Sequence, residues 1–250
     1  MRLKTILNWS GGKDSALSLF KLQKDSHYEI TCLLSSISQQ HQRISMHGVR
    51  VELLEMQAAQ LGIPLYKMEV PDMPSMDVYE EVVQKTLEHL KTKGNVASAY
   101  GDIFLEDLRQ YRDNMLYKLI LEGVYPLWKQ DTKNLIREFI DLGFKTIVSC
   151  VNDKYLDVSF AGRVIDEDFL KDLPKNVDPC GENGEFHTFV FDGPIFQKAI
   201  PLITGEKVYR RYNAPMDIAE SNEQESHPNP KSNDPTALGF WYCDLIPVID

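Results

Sequence analysis

The sequence predicts an α/β protein: a parallel β-sheet with helices on both faces, followed by a smaller α+β region. Three observations carry this expectation. Short apolar runs alternate with stretches of helical period through the first half of the chain, as in parallel sheets whose strands are joined by crossover helices. The texture changes after about residue 125, where loops and β-rich segments take over. A double glycine interrupts the first strand-to-helix junction, on the side where such sheets bind ligands, beyond the carboxyl ends of their strands. The expected division is a parallel-sheet domain over 1–125 and a smaller domain over 126–250.

Taken in order, residues 3–9 are a short apolar run, the pattern of a buried strand. Gly11 and Gly12 end it, and Ala16, Leu17, Leu19, Phe20 and Leu22 then recur at helical spacing. A second strand is expected over 29–37. A helix over about 47–61 follows, with Val51, Leu54, Met56, Ala58 and Leu61 near one face, then a third strand over 63–70. A helix over 76–92 leads to a fourth strand, 96–100, which ends at Gly101-Asp102; another helix covers about 105–120. The strand ends Trp9-Ser10, Ser36-Ile37 and Gly101-Asp102 should line one crevice. The second region offers a strand at 144–151, a short helix at 166–172, and strands at 186–191, 198–209 and 239–248. Residues 217–236 are polar and rich in Ser, Asn, Glu and Pro; that composition supports no core and predicts an exposed, mobile loop.

The chain has 250 residues, which suits one large domain or two modest ones around a shared core. Its 27 basic and 37 acidic side chains give a net charge of −10, which disfavours extended contact with a nucleic acid. A small-molecule or protein substrate is the easier expectation. No 18-residue apolar run occurs and the apolar N-terminal stretch is too short for a signal peptide, so no membrane contact and a cytoplasmic location are expected. Cys32, Cys150, Cys180 and Cys243 form no Cys-x-x-Cys pair, which argues against a zinc knuckle or a thioredoxin-type site. A homodimer is left open.

Ser10-Gly11-Gly12-Lys13-Asp14-Ser15 carries the most chemistry. Two glycines let backbone N–H groups approach phosphate oxygens. The helix behind them offers unpaired N–H donors and partial positive charge. Ser10 and Ser15 add hydroxyls, Lys13 a cation, and Asp14 a carboxylate that can hold Mg²⁺ or cap the helix. It is not a Walker A loop, because Asp14 follows Lys13 and position 7 is Leu.

The hexapeptide resembles the pyrophosphate-binding loop of the N-type, or PP-loop, ATP pyrophosphatases. That resemblance implies a five-stranded parallel sheet and cleavage of ATP to AMP and pyrophosphate. Three further stretches narrow it: Met46-His47-Gly48-Val49-Arg50, Gly101 to Asp107, and Asp178 to Pro194. With the loop they resemble the diphthine–ammonia ligase family over nearly the whole chain, and the run from Cys180 to Thr188 looks like the form found in bacterial relatives. Eukaryotic and archaeal members amidate diphthine on translation elongation factor 2. The resemblance implies an ATP-dependent ligase that adenylates a carboxylate, releases pyrophosphate and lets ammonia displace AMP. Its partners would be ATP with Mg²⁺, ammonia and an unidentified carboxylate acceptor. The nucleotide would meet Ser10, Gly11, Gly12, Lys13, Asp14, Ser15, Ser36, His47, Arg50, Gly101 and Asp102; Lys13, Asp14, Glu182, Glu185 and His187 would be catalytic.

Glu182, Glu185 and His187 surround two glycines just before an alternating strand. Glu185 and His187 are two apart and would face one way on it. Carboxylates can bind ammonium or take its proton, and a histidine can act as a base near neutral pH. A solvated polar turn is the plainer alternative. Arg50 can pair with a phosphate or a substrate carboxylate, or be a surface charge. Asp102 can accept from a ribose hydroxyl or cap a helix. Cys180 is a candidate thiol for sulfur-transfer chemistry, without an evident partner. Two rival functions stay in view: a tRNA-modifying ATP pyrophosphatase, and a nucleotide-binding module without turnover.

Overall fold

The computed structural model describes residues 2–44, 47–71, 74–212 and 238–248. The polar stretch 217–236, expected to be a mobile loop, lies outside them. The elements are β1 (Leu3–Asn8), α1 (Lys13–Lys24), β2 (Tyr28–Ser38), β3 (Arg43–Ile44), α2 (Val51–Leu61), β4 (Leu65–Val70), α3 (Met76–Thr92), β5 (Ala97–Ala99) and α4 (Glu106–Leu119). They continue as β6 (Glu122–Val124), α5 (Thr132–Asp141), β7 (Lys145–Asn152), α6 (Glu167–Asp172), β8 (Phe186–Asp192), β9 (Leu202–Tyr212) and β10 (Leu238–Pro247).

Five strands form the expected parallel sheet in the order β4-β2-β1-β5-β6. β3 adds two residues antiparallel to the end of β2. The chain builds outward from β1 through β2 to β4, then returns to the other side of β1 for β5 and β6. That reversal opens a crevice at the carboxyl ends of β1 and β5. Leu7 and Ile6 point to opposite faces of the sheet. Leu7 joins a core with Ala16, Leu19, Leu53 and Leu54 of α1 and α2, while Ile6 packs with Leu87, Leu90 and Leu116 of α3 and α4.

The second sheet is antiparallel, in the order β8-β7-β10-β9. Its buried face continues the core on the α1–α2 side, since Val148, Val151, Phe186, Phe189 and Leu245 belong to the same cluster as Leu7 and Leu54. The two sheets therefore share one interior.

Three elements go beyond the sequence expectation. β3 and β6 are two and three residues long, too short to show a period. α5 is the third, and its signal is present: Asp131 caps Asn134 N, ahead of buried Leu135, Ile136 and Phe139. The second helix also starts later than expected, at Val51 rather than 47. Gly48 takes φ +68°, and a Cβ there would stand 2.6 Å from the Tyr242 ring. His47 and Arg50 thus belong to a turn and a helix cap rather than to a helix.

Candidate active site

The phosphate-loop motif lies where β1 hands over to α1. Gly11 takes φ +73°, which glycine adopts without strain. Gly12 is the N-cap of α1 and has no side chain to satisfy the first helical N–H groups. Some of those donors are already engaged. Gly12 N–H donates to Ser10 Oγ at 3.3 Å, and Lys13 N–H donates to Thr188 Oγ1 at 3.1 Å. Ser15 Oγ donates to the Gly12 carbonyl at 2.9 Å. A Cβ on Gly12 would stand 2.9 Å from the Thr188 carbonyl oxygen, and one on Gly101 would stand 3.0 Å from the Asp14 backbone. The glycines let β8 and the end of β5 close on the loop.

Lys13 is only 4% exposed, and its ammonium lies 2.7 Å from Asp14 Oδ2. Burial by itself lowers an ammonium, but the acidic neighbours, Asp14 foremost, outweigh it and the net shift is upward. Lys13 is therefore a buried cation. Two further carboxylates face the same place. Burial pushes Glu182 up to about 7, against the pull of its bond from Ile103 N–H, and the charges of Asp14 and Asp102 add to the rise. Burial also raises Asp102, opposed by Arg112, with Asp14 adding to it. Arg112 approaches Asp102 Oδ2 to 3.1 Å, yet that oxygen has no aligned hydrogen bond among the described residues. The crevice thus holds one lysine and three carboxylates, two of which rise towards their neutral forms. Among the described residues no three His, Cys, Asp or Glu side chains converge on a single metal ion.

The segment after α6 is a folded platform rather than a solvated turn. Glu182 Oε1 accepts Ile103 N–H at 2.8 Å, which binds the turn at 101–105 to the segment that leads into β8. Glu185 makes its contacts within the turn itself. It is 1% exposed, and its carboxylate accepts Asp178 N–H, Asn183 N–H and Asn183 Nδ2–H at 2.9–3.0 Å. A carboxylate with those donors is a brace for the 178–185 turn, not an open ammonium receptor. Glu185 and His187 are not brought together as strand alternation suggested, because β8 begins only at Phe186. The His187 ring instead lies 4.3 Å from that of His47. Burial, then the neighbouring His47 and Lys13, hold His187 well below its ordinary value, so it is neutral.

Arg50 is also committed within the protein. Its Nε and Nη2 bond Asp244 at 3.1 and 2.6 Å, and Arg43 Nη1 joins the same carboxylate at 2.9 Å. This cluster ties the start of α2 to β10. Ser36 lies two residues before the end of β2, with a buried hydroxyl that has no hydrogen-bond partner among the described residues. Cys180 is buried and donates to the Thr132 carbonyl at 3.3 Å, and burial pushes its thiol far up. A protonated, enclosed thiol is a poor sulfur carrier.

Two contributors carry no role in the sequence reading. Gln57 is fully buried; it donates to the Gly11 and Val190 carbonyls at 3.0 and 2.6 Å and accepts Trp9 Nε1–H at 2.9 Å. Its signal was a polar residue on the apolar stripe of α2, between Leu54, Ala58 and Leu61. Thr188 is the other, an uncharged residue just after Glu182, Glu185 and His187. A surface hollow of about 400 Å³ lies between α2 and β4, lined by Ala58, Ile63 and Leu65, away from these groups.

A five-stranded parallel sheet with a double-glycine loop opening its first helix defines a Rossmann-like PP-loop protein. Sequence comparison makes the assignment specific. The profile of the diphthamide synthase N-terminal domain matches residues 3–121, and that of the diphthamide synthase C-terminal domain matches residues 131–223. Similar proteins include the diphthine–ammonia ligase of Rattus norvegicus, 26% identical over 246 residues, covering 88% of this chain and 89% of that protein. The Homo sapiens diphthine–ammonia ligase is 26% identical over 254 residues, covering 91% and 92%. That of Danio rerio is 27% identical over 223 residues, covering 80% and 86%. The chain belongs to the diphthamide synthase family.

Proposed function

We propose that this protein is an ATP-dependent, AMP-forming amide ligase that joins ammonia to a carboxylate. The observation that carries it is the buried Lys13 cation at the N-terminus of α1, with Asp14, Asp102 and Glu182 around it. The relatives' shared name, diphthine–ammonia ligase, gives the same chemistry. For this chain the acceptor is proposed only as a carboxylate. A reducing, cytoplasmic setting suits four free, buried cysteines.

In the first step a carboxylate oxygen of the acceptor attacks the α-phosphorus of ATP. The bond from that phosphorus to the bridging oxygen breaks, and pyrophosphate leaves with the electron pair. Lys13 and the free N–H groups of α1 stabilise the charge that builds on the phosphates. In the second step the nitrogen of ammonia attacks the acyl carbon, and AMP leaves as the carbon–oxygen bond breaks. The nitrogen loses a proton, which Glu182 accepts. A carboxyl near 7 exists in both forms at neutral pH, which suits it to take a proton from ammonium and pass it on. His187, held neutral by burial and by the charge of Lys13, is poorly suited to take that proton.

Asp14 and Asp102 suit Mg²⁺, because hard carboxylate oxygens, one of them without an aligned donor, are the donors that ion takes. Bound with ATP, Mg²⁺ would neutralise phosphate charge and draw its remaining ligands from phosphate and water. Asp14 and Asp102 would hold it.

The test is to supply α-labelled ATP, Mg²⁺ and ammonium with a metabolite and protein extract, and to identify the labelled product. AMP that depends on both ammonium and extract supports the ligase. ADP, or binding of ATP with no turnover, refutes it; the second result favours a nucleotide-binding module.

A further inference from the structure

Thr188 stands in the middle of β8, paired with Val148 of β7, and is 4% exposed. Its hydroxyl oxygen accepts the N–H of Lys13. A hydroxyl also has one proton to give, and among the described residues nothing accepts it. The loop serines differ. Ser15 donates to the Gly12 carbonyl, and Ser10 lies 3.3 Å from Ser15 Oγ. Their protons have partners inside the loop.

The position of Thr188 is fixed from both sides. Two residues on, Val190 N–H donates to the Gly11 carbonyl at 2.9 Å, and Gln57 holds both Gly11 and Val190. A Cβ on Gly12 would lie 3.2 Å from Thr188 Oγ1, so the hydroxyl rests directly on the first turn of α1. That helix has twelve residues, and its N-cap, Gly12, has no side chain to offer. A buried hydroxyl whose proton has no acceptor, set on the first turn of a helix whose N-cap residue has no side chain, is complementary to an anion.

We propose that Thr188 donates its hydroxyl proton to a phosphate oxygen in the pyrophosphate part of ATP. The proposal rests on the reading of the loop as an ATP phosphate site and adds a ligand from the second sheet. Lys13 N–H keeps its bond to Oγ1, which orients the hydroxyl and leaves its proton directed at the incoming oxygen. AMP has no β- or γ-phosphate to receive this bond. Thr188 therefore favours ATP and pyrophosphate over AMP and couples the position of β8 to the phosphates.

The experiment measures binding of ATP, magnesium pyrophosphate and AMP by calorimetry to the wild type, Thr188→Val and Thr188→Ser, with thermal unfolding of each. Thr188→Val is expected to weaken ATP and pyrophosphate about tenfold or more, the effect of one lost hydrogen bond to a charged group. It should leave AMP within about twofold, and Thr188→Ser should stay close to wild type throughout, because the donor is retained. Thr188→Ala removes the same donor with less bulk and serves if the valine variant does not fold. Pyrophosphate affinity unchanged in a folded Thr188→Val or Thr188→Ala protein overturns the proposal, as does an equal loss for AMP. Wild type that binds neither ATP nor pyrophosphate overturns the underlying ATP reading as well, which keeps the two failures distinct.

Discussion

Lys13 and Glu182 show how burial decides the chemistry of single residues. An isolated buried ammonium would tend to lose its proton, but the Asp14 carboxylate at 2.7 Å keeps Lys13 charged. Lys13→Ala removes the one buried cation of the loop and is expected to lower the rate of AMP formation at least a hundredfold, the scale of losing a transition-state charge partner. A variant with wild-type turnover would show that the loop does not stabilise phosphate charge. Glu182 has the opposite problem. Its folded value of about 7 stands above the ordinary 4.5, so the folded protein holds this proton more tightly than the unfolded chain. Stability from Glu182 is therefore full below about 4.5 and is lost as pH rises through about 7. The shift corresponds to at most about 3 kcal/mol, and its partial exposure reduces that to about 1–2 kcal/mol. Glu182→Gln should thus be more stable than wild type by that amount near pH 8 and equal to it near pH 4, read by urea unfolding at both. Its ammonia-dependent step should slow, while ATP binding is kept.

The element that governs the site is the junction of β1 and α1, because it meets β8, α2 and the end of β5 at once. Gly12 has no room for a side chain: its Cβ would lie 2.9 Å from a backbone oxygen of β8, which cannot swing aside as a flexible side chain would. Gly12→Ala is expected to destabilise the fold by about 1–3 kcal/mol through overpacking and to weaken ATP binding, since β8 must move off the loop. Calorimetry with ATP checks it; full affinity would mean that β8 does not position the loop. Gln57 works at the same scale. It uses both amide protons and its carbonyl on Gly11, Val190 and Trp9, so one side chain of α2 fixes the strand before the loop, the loop and β8.

Across the whole molecule the two sheets share a core. Leu7, Leu54, Phe186, Phe189 and Leu245 lie in a single cluster, and Arg43 and Arg50 reach across to Asp244 on β10. Burial alone would raise the Asp244 carboxyl; the two guanidiniums outweigh it and hold it below its ordinary value. Its contribution to stability is therefore present near neutral pH and is lost as pH falls through that lowered value. Asp244→Ala leaves two arginines without their shared partner and is expected to cost about 1–3 kcal/mol. Unfolding should nonetheless remain a single transition, with tryptophan fluorescence and far-UV circular dichroism coinciding. Two separate transitions would show that the sheets are independent units.

The sequence by itself determined the parallel sheet, the order of most helices and strands, and the phosphate loop. These depend on local periodicity and on a short motif whose glycines act through their backbone and whose lysine and serines act through side chains a few positions apart. α3 runs over Met76–Thr92, the range its period announces. The sequence also singled out the segment from Asp178 to Pro194 as a site, from its density of ionisable groups. Only the tertiary structure decided what each of those groups does. Glu185 became a brace because the backbone N–H groups of residues 178 and 183 meet it, and Glu182 a poised carboxyl because packing buries it, while the N–H of Ile103, 79 positions away, holds it in place. Arg50 was claimed by Asp244 and Lys13 N–H by Thr188, partners 194 and 175 positions distant. A residue type and its spacing fix what a side chain can offer. Which offer is taken depends on partners brought in by the second sheet, and packing the two sheets around one core set those distances.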